Sequence, residues 1–167
     1  MQKLRCILGL PVLELKSGTQ IGEAKEVVLD IEKALVAVVV VSGANWFSEA
    51  QGIYLQDIRS FGRDAIMVRD NEVIQELSDL HEKAGVFCSK ELLDKQIITE
   101  AGLSLGTLVD VFFDLTTGEI KGYELSDGIV TDLLQGRMIM PMPQAQVVSG
   151  DKLIVPETMA RLLHAEM

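Results

Sequence analysis

Gly18-Thr-Gln-Ile-Gly22-Glu-Ala-Lys-Glu-Val27-Val28-Leu29-Asp30 and Gly102-Leu-Ser-Leu-Gly106-Thr-Leu-Val-Asp-Val111-Phe112-Phe113-Asp114 are two versions of one pattern. Both glycines, the apolar triplet and the closing aspartate recur after 84 residues. Self-similarity on this scale means one structural unit built twice. In the second version Leu105, Val109, Val111 and Phe113 alternate with Gly106, Asp110 and Asp114, the period-two signature of a half-buried strand. Gly18 and Gly102 stand where a hairpin turn needs a residue tolerant of positive φ. Asp30 and Asp114 stand at strand ends, where a short carboxylate accepts hydrogen bonds from turn backbone.

Working outward, Val12-Leu13 matches Ile97-Ile98 with one residue deleted. Ala34–Val41 and Glu119–Leu125 read as the next strands. Gly62-Arg-Asp64-Ala-Ile66-Met67-Val68 matches Gly150-Asp151-Lys-Leu153-Ile154-Val155, each an apolar run entered through a Gly/Asp turn. Short strands punctuated by Gly, Asp and Ser predict a mainly β chain of two tandem small antiparallel β-barrels, each followed by a short helix. Asn71–Gly85 places Val73, Ile74, Leu77, Leu80 and Ala84 on one helical face, and Pro156 suits the first turn of a second helix. The expected organisation is a first barrel over 1–70, a helical linker over 71–89, a second barrel over 90–156 and a C-terminal helix over 157–167.

Composition restricts the function classes. With 48% hydrophobic and 24% charged residues the chain is globular rather than disordered, and with 5% aromatics its core must be built from Val, Ile and Leu. A net charge of −10, with 15 scattered basic residues, lacks the cationic footprint of direct nucleic-acid binding and does not suit anionic lipid. The apolar run Cys6–Leu13 is broken by Pro11, and Ala34–Val41 is far short of the ~20 residues needed to span a bilayer. The expectation is a cytoplasmic protein with no membrane insertion, its two cysteines, Cys6 and Cys88, being free thiols.

An opening apolar strand, Gly-x-x-x-Gly, an apolar triplet ending in Asp, a glycine-turn strand and a closing Gly-Asp hairpin together resemble the PRC-barrel family. The second copy matches better: Gly118-Glu-Ile-Lys-Gly-Tyr123-Glu-Leu125 and Met140-Pro141 are similar to the family's third strand and proline segment. The first copy has Tyr54-Leu55 where the proline is expected. The resemblance implies a small barrel used as a protein-contact module, without shared catalytic residues. Similar domains occur in the H subunit of photosynthetic reaction centres and in a ribosome-maturation factor, and stand-alone double-barrel proteins of spore-forming bacteria look closest in layout.

No catalytic residues, cofactor or metal ligands are nominated. His81 and His164 lack any metal-ligand spacing, and Asp110, Asp114, Asp127 and Asp132 read as solvated turn residues rather than a calcium loop. No GxSxG occurs, and the paired glycines lack the Lys and following helix of a phosphate loop. Partner binding is assigned to Trp46 and Phe47, in the loop after the third strand of the first unit, and to Arg137, in its counterpart. Val36, Val38 and Val40 join them, because Val36–Val41 is apolar on both faces and a barrel strand needs only one apolar face. The linker helix, the second unit or a second chain is expected to cover the other face. The reading is a non-enzymatic interaction or scaffold module with a protein partner, self-association being one form of it. The alternatives are an accessory factor in RNA processing or ribosome assembly acting through protein contacts, and a small-molecule or metal sensor with its ligand between the barrels.

Overall fold

The computed structural model describes residues 1–42, 50–77, 80, 83–127 and 136–165. The first half contributes β1 (Gln2–Lys3), β2 (Pro11–Glu14), β3 (Gln20–Asp30), β4 (Leu35–Ser42), β5 (Gln51–Tyr54), β6 (Ile58–Phe61), β7 (Ile66–Val68) and β8 (Gln75–Glu76). The second contributes β9 (Val86–Cys88), β10 (Gln96–Thr99), β11 (Ser104–Phe113), β12 (Ile120–Ser126), β13 (Met138–Pro141), β14 (Val147–Ser149), β15 (Lys152–Val155) and β16 (His164–Ala165). They form two sheets of the same order, β6-β7-β2-β3-β4-β5-β8 and β14-β15-β10-β11-β12-β13-β16, each curled into a partial barrel. Neighbours are antiparallel except for one parallel pair in each sheet, β2 with β7 and β10 with β15. That pair brings the closing strand of each unit back beside its opening one.

The repeated glycines divide two tasks. Gly18 and Gly102 lie in the left-handed region, at φ 72° and 90°, as the hairpins require. Gly22 and Gly106 permit close approach, and Gly106 in addition holds a positive φ of 127°. A Cβ on them would lie 2.8 Å from the Ser42 carbonyl oxygen and 2.7 Å from that of Ser126. The aspartates behave as expected: Asp30 Oδ1 accepts from the Lys33 N–H at 3.0 Å, and Asp114 Oδ1 from those of Thr116 and Thr117 at 2.7 and 3.0 Å. Those backbone donors hold the Asp114 carboxyl below its ordinary range.

The two units exchange their opening segments. β1, at the start of the chain, pairs with β11 of the second sheet, Gln2 opposite Phe113 and Lys3 opposite Phe112. β9, just ahead of the second unit, pairs with β3 of the first, Phe87 opposite Leu29 and Cys88 opposite Val28. The contacts are reciprocal under the repeat. The turn Leu4–Cys6 that follows β1 and the turn Ser89–Leu92 that follows β9 also match. Arg5 N–H donates to Asp110 Oδ1 at 3.1 Å, and Lys90 N–H donates to Glu26 Oε2 at 3.1 Å. A third contact runs along the pseudo-two-fold axis. Leu35 bridges Glu119, with Val36 N–H on the Gly118 carbonyl at 2.7 Å and Ile120 N–H on that of Ala34 at 2.8 Å. One buried apolar cluster runs through both units, from Leu4, Val12, Val27 and Ile53 to Leu108, Phe113, Tyr123 and Met140. Cys6 is exposed and Cys88 buried, and both are free thiols.

A short helical turn follows each unit, but each is shorter than the segment read as helix from the sequence. Within 71–84 the described residues form a 3-10 turn over Asn71–Val73 and then β8, not one amphipathic helix. Gln75 and Glu76 pair with Gly52 and Gln51, so the open edge of β5 outcompetes the local helical periodicity. Likewise, the described residues of 157–167 do not form a single helix. A 3-10 turn over Glu157–Arg161 leads into β16, which pairs with the edge of β13.

Candidate protein-contact surface

The repeat makes the outer faces of the two sheets directly comparable. In the first unit Glu26 lies opposite Val40 across β3 and β4, and in the second Asp110 lies opposite Glu124 across β11 and β12. The first face is largely apolar. Val28, Val38, Leu77 and Cys88 form a second buried cluster, with Val40, Tyr54, Leu80 and Val86 packed against it. The cover is therefore intramolecular: Leu77 and Leu80, from the segment after β8, and Val86 and Cys88 of β9. Gly52 makes it possible, since a Cβ there would lie 2.6 Å from both Leu77 Cδ1 and Val38 Cγ1.

This corrects part of the sequence reading. Val36 (3% exposed) and Val38 (0%) are sealed inside the chain and offer no partner surface, and Val40 is half-buried. The strand is apolar on both faces because the protein's own linker covers the second one. Trp46 and Phe47 lie outside the described residues, as do His81 and Asp132. His164 is exposed in β16, its Nδ1 3.2 Å from the Leu162 carbonyl. Among the described residues no group of three His, Cys, Asp or Glu side chains is placed to hold a metal ion.

Arg137 sits in a different setting. Its guanidinium is 45% exposed and donates to Glu124 Oε1 at 3.0 Å. Glu124 is 1% exposed, and Lys3 Nζ lies 3.1 Å from its other carboxylate oxygen. Lys3 also stands 5.3 Å over the centre of the Phe112 ring. A carboxylate buried this far needs such compensation. Burial by itself would raise the Glu124 pKa, but the Arg137 and Lys3 contacts outweigh it and hold the group ionised below its ordinary range. Asp110 opposite accepts the Arg5 and Val111 N–H groups, at 3.1 and 2.8 Å, and there burial prevails, raising its pKa.

Sequence reasoning selected Arg137 but missed its partners. The available signal was Glu124 itself, an acid in a strand where the first copy has Val40. Lys3 could not be found that way, because it comes from the other end of the chain.

The PRC-barrel domain model matches this chain twice, over residues 3–75 and 85–162. The chain belongs to the PRC-barrel family. PRC-barrel domains are protein-interaction modules, and this chain carries two. Both matched spans include an exchanged opening strand in whole or part, so each PRC-barrel here is completed by residues numbered with the other. Comparison with curated proteins finds no match. Among the described residues no helix is long and apolar enough to cross a membrane.

Proposed function

We propose that this tandem PRC-barrel protein is a non-enzymatic interaction or scaffold module. Its partner is a protein, met by the loops that follow β4 and β12, with Trp46, Phe47 and Arg137 as anchors. The family match over both units is the observation that carries this reading. The setting of Arg137 supports its part: half the side chain is open, while Glu124 fixes its orientation from below. An arginine held in this way loses little entropy on binding, the condition under which an arginine becomes a hot spot. The net charge of −10 favours a partner met through protein contacts over one met through phosphates.

The test is affinity capture of the tagged full-length chain from its source cells, with and without nuclease, read by mass spectrometry. The expected result is one enriched protein partner, retained after nuclease and lost from a Trp46→Ala/Phe47→Ala variant and from Arg137→Ala. Ribosomal proteins or assembly factors in the eluate would give that partner the identity of the accessory-factor reading. Capture that is unchanged in both variants would remove the loops from the contact.

A further inference from the structure

The linker that seals the first sheet also walls a cleft. This cleft of about 500 Å³ is lined by Ala37, Leu55, Leu80 and Val86, with Lys33, Lys83, Tyr54 and the turn residues Thr116 and Thr117 among its polar wall. It spans the pseudo-two-fold junction: Lys33 and Tyr54 belong to the first sheet's strands and turns, Lys83 to the linker, and Thr116 and Thr117 to the β11–β12 turn. Its volume lies within the ~300–1,000 Å³ typical of ligand clefts, and junctions between units are where such clefts gather.

The charges lining it are unevenly committed. Asp30, the one acidic residue among the described residues that line it, turns its carboxylate back to accept the Lys33 N–H within its own turn. Among the described residues, neither the Lys33 nor the Lys83 ammonium has an ion pair or hydrogen bond, and the Tyr54 hydroxyl has none either. Lys3 is engaged with Glu124, Lys121 with Glu119, Lys152 with Asp151 and Lys95 with the Gly150 carbonyl, and although Lys16, Lys25 and Lys90 also make no ion pair among the described residues, only Lys33 and Lys83 line this cleft. Two uncommitted ammonium groups beside an apolar floor suit a ligand with one compact anionic head and a short aliphatic body. Two lysines do not suit a polyphosphate strand, which needs an extended run of cations and would be repelled by the net charge of −10.

We propose that this cleft is a binding site for a small amphiphilic anion, a carboxylate or phosphate monoester. The head pairs with Lys33 and Lys83, and the aliphatic chain lies on Ala37, Leu55, Leu80 and Val86. The proposal goes beyond the interaction role and does not depend on it.

Calorimetric titration of the full-length protein with octanoate, octyl phosphate and octanol, all below their aggregation concentrations, tests it. The expected result is saturable binding of at least one acid at one site per chain, with octanol much weaker. Each of Lys33→Gln and Lys83→Gln weakens the acid roughly tenfold, the scale of a lost charge-assisted hydrogen bond, and the double variant brings it to the level of octanol. Both lysines are exposed, so the variants fold, and an unchanged melting temperature without ligand verifies this. Ala37→Met, which fills the floor, weakens acid and alcohol alike. Tighter octanoate assigns the head as a carboxylate, and tighter octyl phosphate assigns it as a phosphate. Failure of both acids to saturate, or undiminished binding to the double variant, overturns the proposal.

Discussion

Leu4→Ala tests the exchange of opening strands directly. Leu4 is numbered with the first unit, but its turn, Leu4–Cys6, packs on β11 of the second, and its side chain is fully buried in the shared core. The substitution removes three carbon groups worth about 0.8 kcal/mol each in transfer free energy and leaves a cavity that can close only in part. The expected loss is about 3 kcal/mol, inside the ~2–5 kcal/mol span of buried Leu→Ala changes. For a chain of this size it lowers Tm by roughly 6–12 °C. Urea unfolding measures the magnitude, and native-state hydrogen exchange locates it. The Val111, Phe112 and Gly122 amides, more than 100 residues away in sequence, should lose protection at least as much as those of β2 and β7. Protection lost only in β2 to β7, with β11 and β12 unchanged, would refute the exchange, as would a loss below ~1 kcal/mol.

Three further outcomes follow from particular residues. Gly118 has φ 77°, and a Cβ on it would lie 2.6 Å from Leu55 Cδ2, whereas its repeat counterpart is Ala34 at φ 53°. Gly118→Ala should therefore cost about 2–3 kcal/mol in chemical denaturation while Ala34→Gly stays within about 1 kcal/mol, and equal effects would contradict the difference between the two turns. Gly52→Ala places a Cβ against Leu77 and Val38, so it should destabilise by about 2 kcal/mol and speed proteolysis within 77–86, where unchanged cleavage would mean the linker is not seated on Gly52. The buried carboxylates predict opposite pH effects. Glu124, with its folded pKa lowered, contributes stability above its unfolded pKa of about 4, and this is lost as pH falls through the lower folded value. Asp110, with its folded pKa raised, opposes folding when ionised, and this penalty fades as pH falls through the raised value. Denaturation from pH 7 downward should show Glu124→Gln reducing stability most at neutral pH and Asp110→Asn increasing it there, both differences shrinking in acid. The reverse signs would show that the charge assignments are wrong.

The duplication and the strands were legible because both are written in short-range pattern. Gly18 and Gly102 need positive φ, Asp30 and Asp114 cap their own turns, and period-two alternation marks β11, all within a dozen residues. Arg137 was legible as an arginine in a loop counterpart. Glu124 was not, because its burial depends on Lys3, and Lys3 reaches it only through β1. Val36 and Val38 were misread as partner surface for the same kind of reason. A strand apolar on both faces states that it is covered, not by what. The helices are shorter than read where period 3.6 met an open sheet edge: Gln75–Glu76 and His164–Ala165 gain backbone pairing from β5 and β13 that no local propensity matches.

The sequence by itself determined that this protein is one β-rich unit built twice, with its hairpins, its caps and the apolar strands of its core. Only the tertiary structure decided that each unit is completed by the other's opening strand, that the linker seals the first sheet, and that Glu124 is clamped between cations from distant parts of the chain. The physical reason is range. Turn geometry and alternation act between neighbours, whereas strand pairing, burial and charge compensation depend on which distant backbone edges and side chains arrive at the same place.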